Sequence, residues 1–74
     1  MGRLTGLSAA DVIRKLRRAG FQFDRMAKGC HEIWLHPVTR ARTTVPNHPG
    51  DVPEGTVRAI VRASGLEIEE FLRL

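Results

Sequence analysis

The stretch Lys28-Gly29-Cys30-His31-Glu32-Ile33-Trp34-Leu35-His36 concentrates side chains that could move a proton or meet an anion. An unperturbed imidazole has a pKa of about 6.5, so His31 can both take and give a proton near neutral pH. Lys28 and the slightly earlier Arg25 are cations able to neutralise charge on a phosphate. A thiolate at Cys30 is a conceivable nucleophile, but strand neighbours point to opposite faces. The expectation for Cys30 is therefore a small buried apolar residue. His36 and His48 each lie beside a proline at a strand or loop boundary. Both are weaker candidates than His31, and His36 is the weaker of the two. All three imidazoles have a structural use as well, satisfying a hydrogen bond at a strand end or standing in an exposed loop. Cys30, His31, His36 and His48 are zinc-type ligands whose spacing follows no standard Cys/His motif, so no metal or other cofactor is expected.

The elements that must position these residues follow from local signals. Ser8-Ala9-Ala10-Asp11 reads as a capping box, with Leu7 and Val12 available for a hydrophobic staple. Val12, Ile13 and Leu16 recur at helical spacing, predicting a helix over residues 9–19. Gly20 stands where a left-handed terminating residue belongs, and Phe21 can fold back on Leu16. From Phe21 to Asp24 the period becomes two, giving a first strand. Ala27-Lys28-Gly29 turns the chain, Cys30 to His36 forms a second strand ended by Pro37, and Val38 to Ala41 turns again. Arg42 to Val45 is a third strand stopped by Pro46. Residues Asn47 to Pro53 read as a surface loop. Val57, Ile60, Val61 and Ser64 mark a second helix, with Glu54 set four residues before Arg58, and Gly65 ends it. A short terminal turn carries Glu69, Glu70, Phe71 and Leu72.

The order α-β-β-β-α is that of a double-stranded-RNA-binding domain: a three-stranded antiparallel sheet with both helices on one face. Strict alternation puts His31 on the face of Ile33 and Leu35, which ought to be the buried one. The expected way out is its place beside the turn, where covering helices end or a bulge re-aims it.

Seventy-four residues, of which 42% are hydrophobic, make a single domain over 1–74 with a small core. No apolar run approaches a membrane span of about 20 residues, and the N-terminus lacks a signal peptide's apolar core. One cysteine excludes an internal disulfide. A soluble, cytosolic protein is expected. The formal net charge of +4 favours a polyanionic partner, most simply nucleic acid. Arg14, Lys15, Arg17 and Arg18 could track phosphates, although a solvated charged helix face is the usual explanation for such a run. Trp34 could stack an unpaired base or fill the core.

Taken together, the chain resembles the HicA (YcfA-like) toxin family. The residues that carry the resemblance are Lys28-Gly29-Cys30-His31, Val45-Pro46-Asn47-His48, Gly55-Thr56-Val57-Arg58-Ala59-Ile60 and Gly65-Leu66-Glu67-Ile68-Glu69-Glu70-Phe71, in that order. The resemblance implies a small toxin that cleaves messenger RNA on a double-stranded-RNA-binding-domain-like fold. It also implies a catalytic role for His31, a second proton-transfer or RNA-contacting role for His48 in Val-Pro-Asn-His, and a cognate HicB-type antitoxin. Two positions depart from the family pattern: Cys30 replaces the serine of Gly-Ser-His, and Glu67 stands where Ser or Thr caps the last turn. The alternatives are an RNA-binding module without catalysis and an interaction protein that has lost cleavage. Against the module, no Lys-Lys-x-x-x-Lys opens the last long helix.

Overall fold

The computed structural model describes residues 3–74. Its elements run α1 (Ala9–Arg18), β1 (Gln22–Met26), β2 (His31–Leu35), β3 (Arg42–Pro46), α2 (Glu54–Ser64) and α3 (Ile68–Leu72). The strands form an antiparallel sheet in the order β1-β2-β3.

Helix α1 begins as its capping box dictates. Asp11 N–H donates to Ser8 Oγ at 3.1 Å, and Ser8 N–H donates back to Asp11 Oδ2 at 3.0 Å. It ends at Gly20, where φ of +101° lets Phe21 N–H reach the Leu16 carbonyl at 2.9 Å. Helix α2 closes on Gly65 with φ of +79°.

Val12, Leu16, Trp34, Val45, Val57, Ile60, Val61 and Phe71 belong to one buried cluster, which joins all three helices to one face of the sheet. Leu4 and Val52 are buried there too. Val52 corrects the expectation of a surface loop over 47–53. Its N–H donates to the Leu7 carbonyl at 2.7 Å, and Ser8 bridges Asp51, so the end of that loop is laid against the start of α1.

Lys15 also departs from the reading of an exposed basic run. Its stem is buried, and Nζ donates to the carbonyls of Leu72 at 3.2 Å and Leu74 at 3.0 Å. An ammonium thus caps the C-terminal end of α3, where backbone carbonyls lack helical partners. Burial pushes its pKa down, helped by the positive charges of Arg14 and Arg18, while Asp11 opposes the shift.

The register decides which side of β2 is inside. Trp34 pairs with Thr43 and Glu32 with Val45, and Trp34, Thr43 and Val45 are all buried under the helices. Residues directly opposite one another share a face. His31 (opposite Pro46), Ile33 (opposite Thr44) and Leu35 (opposite Arg42) therefore lie on the other face. This reverses the expectation that Ile33 and Leu35 would be the buried pair. An indole has more area to remove from water than either aliphatic chain, and Val45 of β3 shares its face.

Candidate functional site

His31 opens β2 on the face that the helices leave uncovered, and it is exposed. No rearrangement is needed to bring it to solvent. Its position follows from the turn before it. Ala27 N–H donates to the His31 carbonyl at 2.7 Å, closing a reversal in which Gly29 has φ of +69°. A Cβ at Gly29 would meet nothing within 4 Å, so backbone conformation rather than space calls for glycine here.

The imidazole is oriented by the same turn. His31 Nδ1 lies 3.0 Å from the Lys28 carbonyl oxygen. A carbonyl only accepts, so Nδ1 carries the proton and Nε2 of the neutral ring holds the lone pair. Lys28 thus contributes its backbone to the histidine while its side chain is exposed.

Arg25 reaches this face through an irregularity. The β1–β2 register shifts between Phe23 and Arg25, so Arg25 pairs with Ile33 and shares its face with His31. Without the extra residue, alternation would have set Arg25 on the face of Phe23. The bulge is thus in β1, not beside His31, and it moves the arginine. Its guanidinium is exposed and bonds Asp24 at 2.9 Å.

Cys30 lies in the turn ahead of β2, so strand alternation does not govern it. The expected buried apolar residue is instead half-exposed, with Sγ 3.1 Å from His48 Nδ1 and 3.2 Å from Nε2. The His48 ring stands edge-on to His31 with centroids 6.3 Å apart. Three residues that were separate candidates in the sequence thus meet at one end of the sheet. Among the described residues, no group of three or more His, Cys, Asp or Glu is placed to hold a metal ion.

Two residues that sequence reasoning passed over complete this end. Glu32 Oε2 accepts from Asn47 Nδ2 at 2.6 Å, and its Oε1 accepts from the Trp34 indole N–H at 3.1 Å. Only the pairing of β2 with β3 brings Glu32 to Asn47, so no local pattern could have announced the contact.

The remaining candidates stand elsewhere. Trp34 is 2% exposed, with the Arg17 guanidinium 5.2 Å from its ring. Of its two possible uses, core packing is the one realised, and neither ring face is open to a base. Arg14, Arg17 and Arg18 are exposed on α1, which packs on the opposite side of the sheet from His31, and Arg14 bonds Asp11 at 3.0 Å. His36 is committed to structure. Its Nε2 donates to the Ala19 carbonyl at 3.1 Å, its Nδ1 accepts from the Val38 and Thr39 amides, and its ring meets Phe21 edge-on.

An exposed imidazole with a fixed tautomer, a second imidazole beside it and an arginine on the same sheet face is equipment for proton transfer near an anion. The family model described as "HicA toxin of bacterial toxin-antitoxin" matches residues 9–66, which include the turn, His31 and His48. The chain belongs to the HicA toxin family. No curated protein matches it. Membership places the chain among toxins of bacterial toxin–antitoxin systems and implies an antitoxin partner. The match ends at Leu66, so the helix α3 that Lys15 caps lies beyond it. No helix among the described residues is long and apolar enough to cross a membrane.

Proposed function

We propose that this HicA chain is an endoribonuclease that cleaves messenger RNA by transesterification without a metal ion, with His31 as the proton-transfer group. RNA supplies its own nucleophile. His31 Nε2 takes the proton of a 2'-hydroxyl, and the 2'-oxygen bonds to the adjacent phosphorus. The bond from phosphorus to the 5'-oxygen then breaks, and that oxygen takes up a proton. The products are a 2',3'-cyclic phosphate and a 5'-hydroxyl.

The observation that carries this reading is the His31 ring itself: exposed, with Nδ1 engaged by the Lys28 carbonyl, which leaves Nε2 as the nitrogen able to exchange a proton. Arg25 and Lys28 supply the positive charge that a pentacovalent phosphate requires, an electrostatic contribution comparable to the acid–base one. Gly29 shapes the turn that presents them. The exposed arginines of α1, Arg14, Arg17 and Arg18, lie across the sheet from His31 and would meet only RNA that wraps around the domain. A HicB-type antitoxin that hides His31 would silence the activity, and the cytoplasm is where messenger RNA and such a partner meet.

Purified protein and its His31→Ala variant, incubated with RNA in excess EDTA, test the proposal. Cleavage by the wild type with cyclic phosphate ends is expected, and the variant should lose on the order of 10²-fold or more in rate. A substrate with one 2'-deoxy sugar at the cut site should resist. Continued cutting there, or full activity of the variant, would overturn the mechanism. Wild-type protein that binds RNA and never cuts it would return the chain to a binding module.

A further inference from the structure

The loop after β3 is held to β2 by the two residues that flank His31. Glu32 grips Asn47 at 2.6 Å with one carboxylate oxygen while the other is anchored at 3.1 Å by the buried indole of Trp34. Cys30 accepts the Asn47 N–H on its carbonyl at 3.1 Å and places its thiol 3.1 and 3.2 Å from the two nitrogens of the His48 ring. Near-equal distances set the sulfur over the ring rather than in line with either nitrogen, so the contact packs the ring and leaves both nitrogens able to exchange a proton. These links join positions 15 and 18 residues apart. An exposed loop histidine left to itself would sample several rotamers, and these ties remove that freedom beforehand. What they achieve is one spacing: the His48 ring set 6.3 Å from that of His31, nearly perpendicular to it.

Cleavage through a 2'-hydroxyl moves two protons, one off the attacking oxygen and one onto the leaving oxygen. His31 has Nδ1 committed to Lys28, which leaves Nε2 as its exchanging atom. One nitrogen cannot stand beside both oxygens, because they depart from phosphorus on opposite sides. Two hydrogen bonds of about 2.8 Å span from the two rings to oxygens of a single phosphate. The Glu32 carboxylate is occupied by Asn47 and the Trp34 indole, and the Cys30 thiol packs on the His48 ring.

Building on the nuclease reading, we infer that His48 is the second proton-transfer group, and that Cys30 and Glu32 are positioning residues that act through it. His31 removes the 2'-hydroxyl proton, and His48 in its protonated form delivers a proton to the 5'-oxygen as its bond to phosphorus breaks. Cys30 stands where the family carries serine, a side chain of similar shape whose hydroxyl is a better donor than the thiol.

Single-turnover cleavage of a short RNA between about pH 5 and 9 tests this, using the full chain, because two groups of opposite protonation give a bell-shaped rate profile. The variants are His48→Ala, Cys30→Ala, Cys30→Ser, Glu32→Gln and the double Cys30→Ala/His48→Ala, each with its melting temperature recorded. His48→Ala should lose the alkaline limb and about 10²-fold in rate. Cys30→Ala should slow the step by about 10-fold at an unchanged half-saturating RNA concentration, as misplacement of a catalytic group does. Cys30→Ser should recover most of that loss. The double variant should be no slower than His48→Ala alone, because both changes remove one function. Glu32→Gln gives an independent reading: the His48 ring resonances should shift while those of His36 stay in place. A wild-type profile with one limb, full activity in His48→Ala, or multiplying losses in the double variant would overturn the inference. If His31→Ala is inactive while His48→Ala is fully active, this inference alone falls. Full activity in His31→Ala would remove the nuclease reading beneath it.

Discussion

Replacing Gly20 by alanine strikes the point where the end of α1 is pressed against the β2–β3 turn. Gly20 has φ of +101°, and a Cβ there lies 2.7 Å from His36 Nε2 and 3.2 Å from its Cδ2. The ring has little room to retreat, since Nε2 holds the Ala19 carbonyl and Nδ1 takes amides at 3.2 and 3.3 Å. A left-handed backbone costs an L-residue about 1–2 kcal/mol. Displacing the ring forfeits one or two hydrogen bonds of about 1 kcal/mol each. The expected loss is therefore about 2–4 kcal/mol, against a total stability of roughly 4–11 kcal/mol for a chain of this length. In a domain this small, the melting temperature should fall by about 10 °C or more. Urea unfolding followed by circular dichroism, on Gly20→Ala, His36→Ala and the double variant, separates the two contributions. With the imidazole gone, only the backbone cost remains, so the double variant should be less damaged than the sum by about 1 kcal/mol. Strict additivity, or a loss below about 0.5 kcal/mol for Gly20→Ala alone, would refute the reasoning. Neither variant touches His31, so cleavage measured well below the melting temperature should be unaffected.

Two further predictions concern stability against pH. Lys15→Met removes the ammonium that holds the Leu72 and Leu74 carbonyls, and hydrogen bonds to a charged donor are worth about 1.5–3 kcal/mol. Because burial lowers the Lys15 pKa below 10.5, the unfolded chain binds the proton more tightly. The wild type should therefore gain stability relative to Lys15→Met as pH rises through the folded value toward 10.5, and a gap that narrows there contradicts the assignment. Asp11 behaves oppositely: the Ser8 backbone N–H, followed by Arg14, holds its carboxyl below 3.8. Its ionised form stabilises the fold above that value, and the benefit disappears as pH falls through the folded pKa. The stability difference between wild type and Asp11→Asn should close in strong acid, and a difference that persists unchanged there would deny the carboxylate its role.

Much of this molecule is written in short-range patterns. The Ser8 and Asp11 caps, the Gly20 and Gly65 stops and the Val57-Ile60-Val61 stripe each act within a few residues, so the α-β-β-β-α order could be read without coordinates. His31 could be named as a candidate as well, because the Lys28-Gly29-Cys30-His31 motif that carries the family resemblance is local. What the chain left undecided were choices between equivalent alternatives. Alternation along β2 defines two faces and does not say which is covered; the area of Trp34 and its pairing with Thr43 settled that, and freed His31. The β1 bulge moved Arg25 across the sheet, although nothing in Asp24-Arg25 marks a bulge. Lys15 looked like part of a solvated run until the chain end folded onto it. The contacts of Cys30 with His48 and of Glu32 with Asn47 exist only because β2 and β3 lie in one register. Hydrogen bonds between distant positions are set by strand pairing and packing, which local propensity does not encode, and that is why the residues of the candidate site came together only in three dimensions.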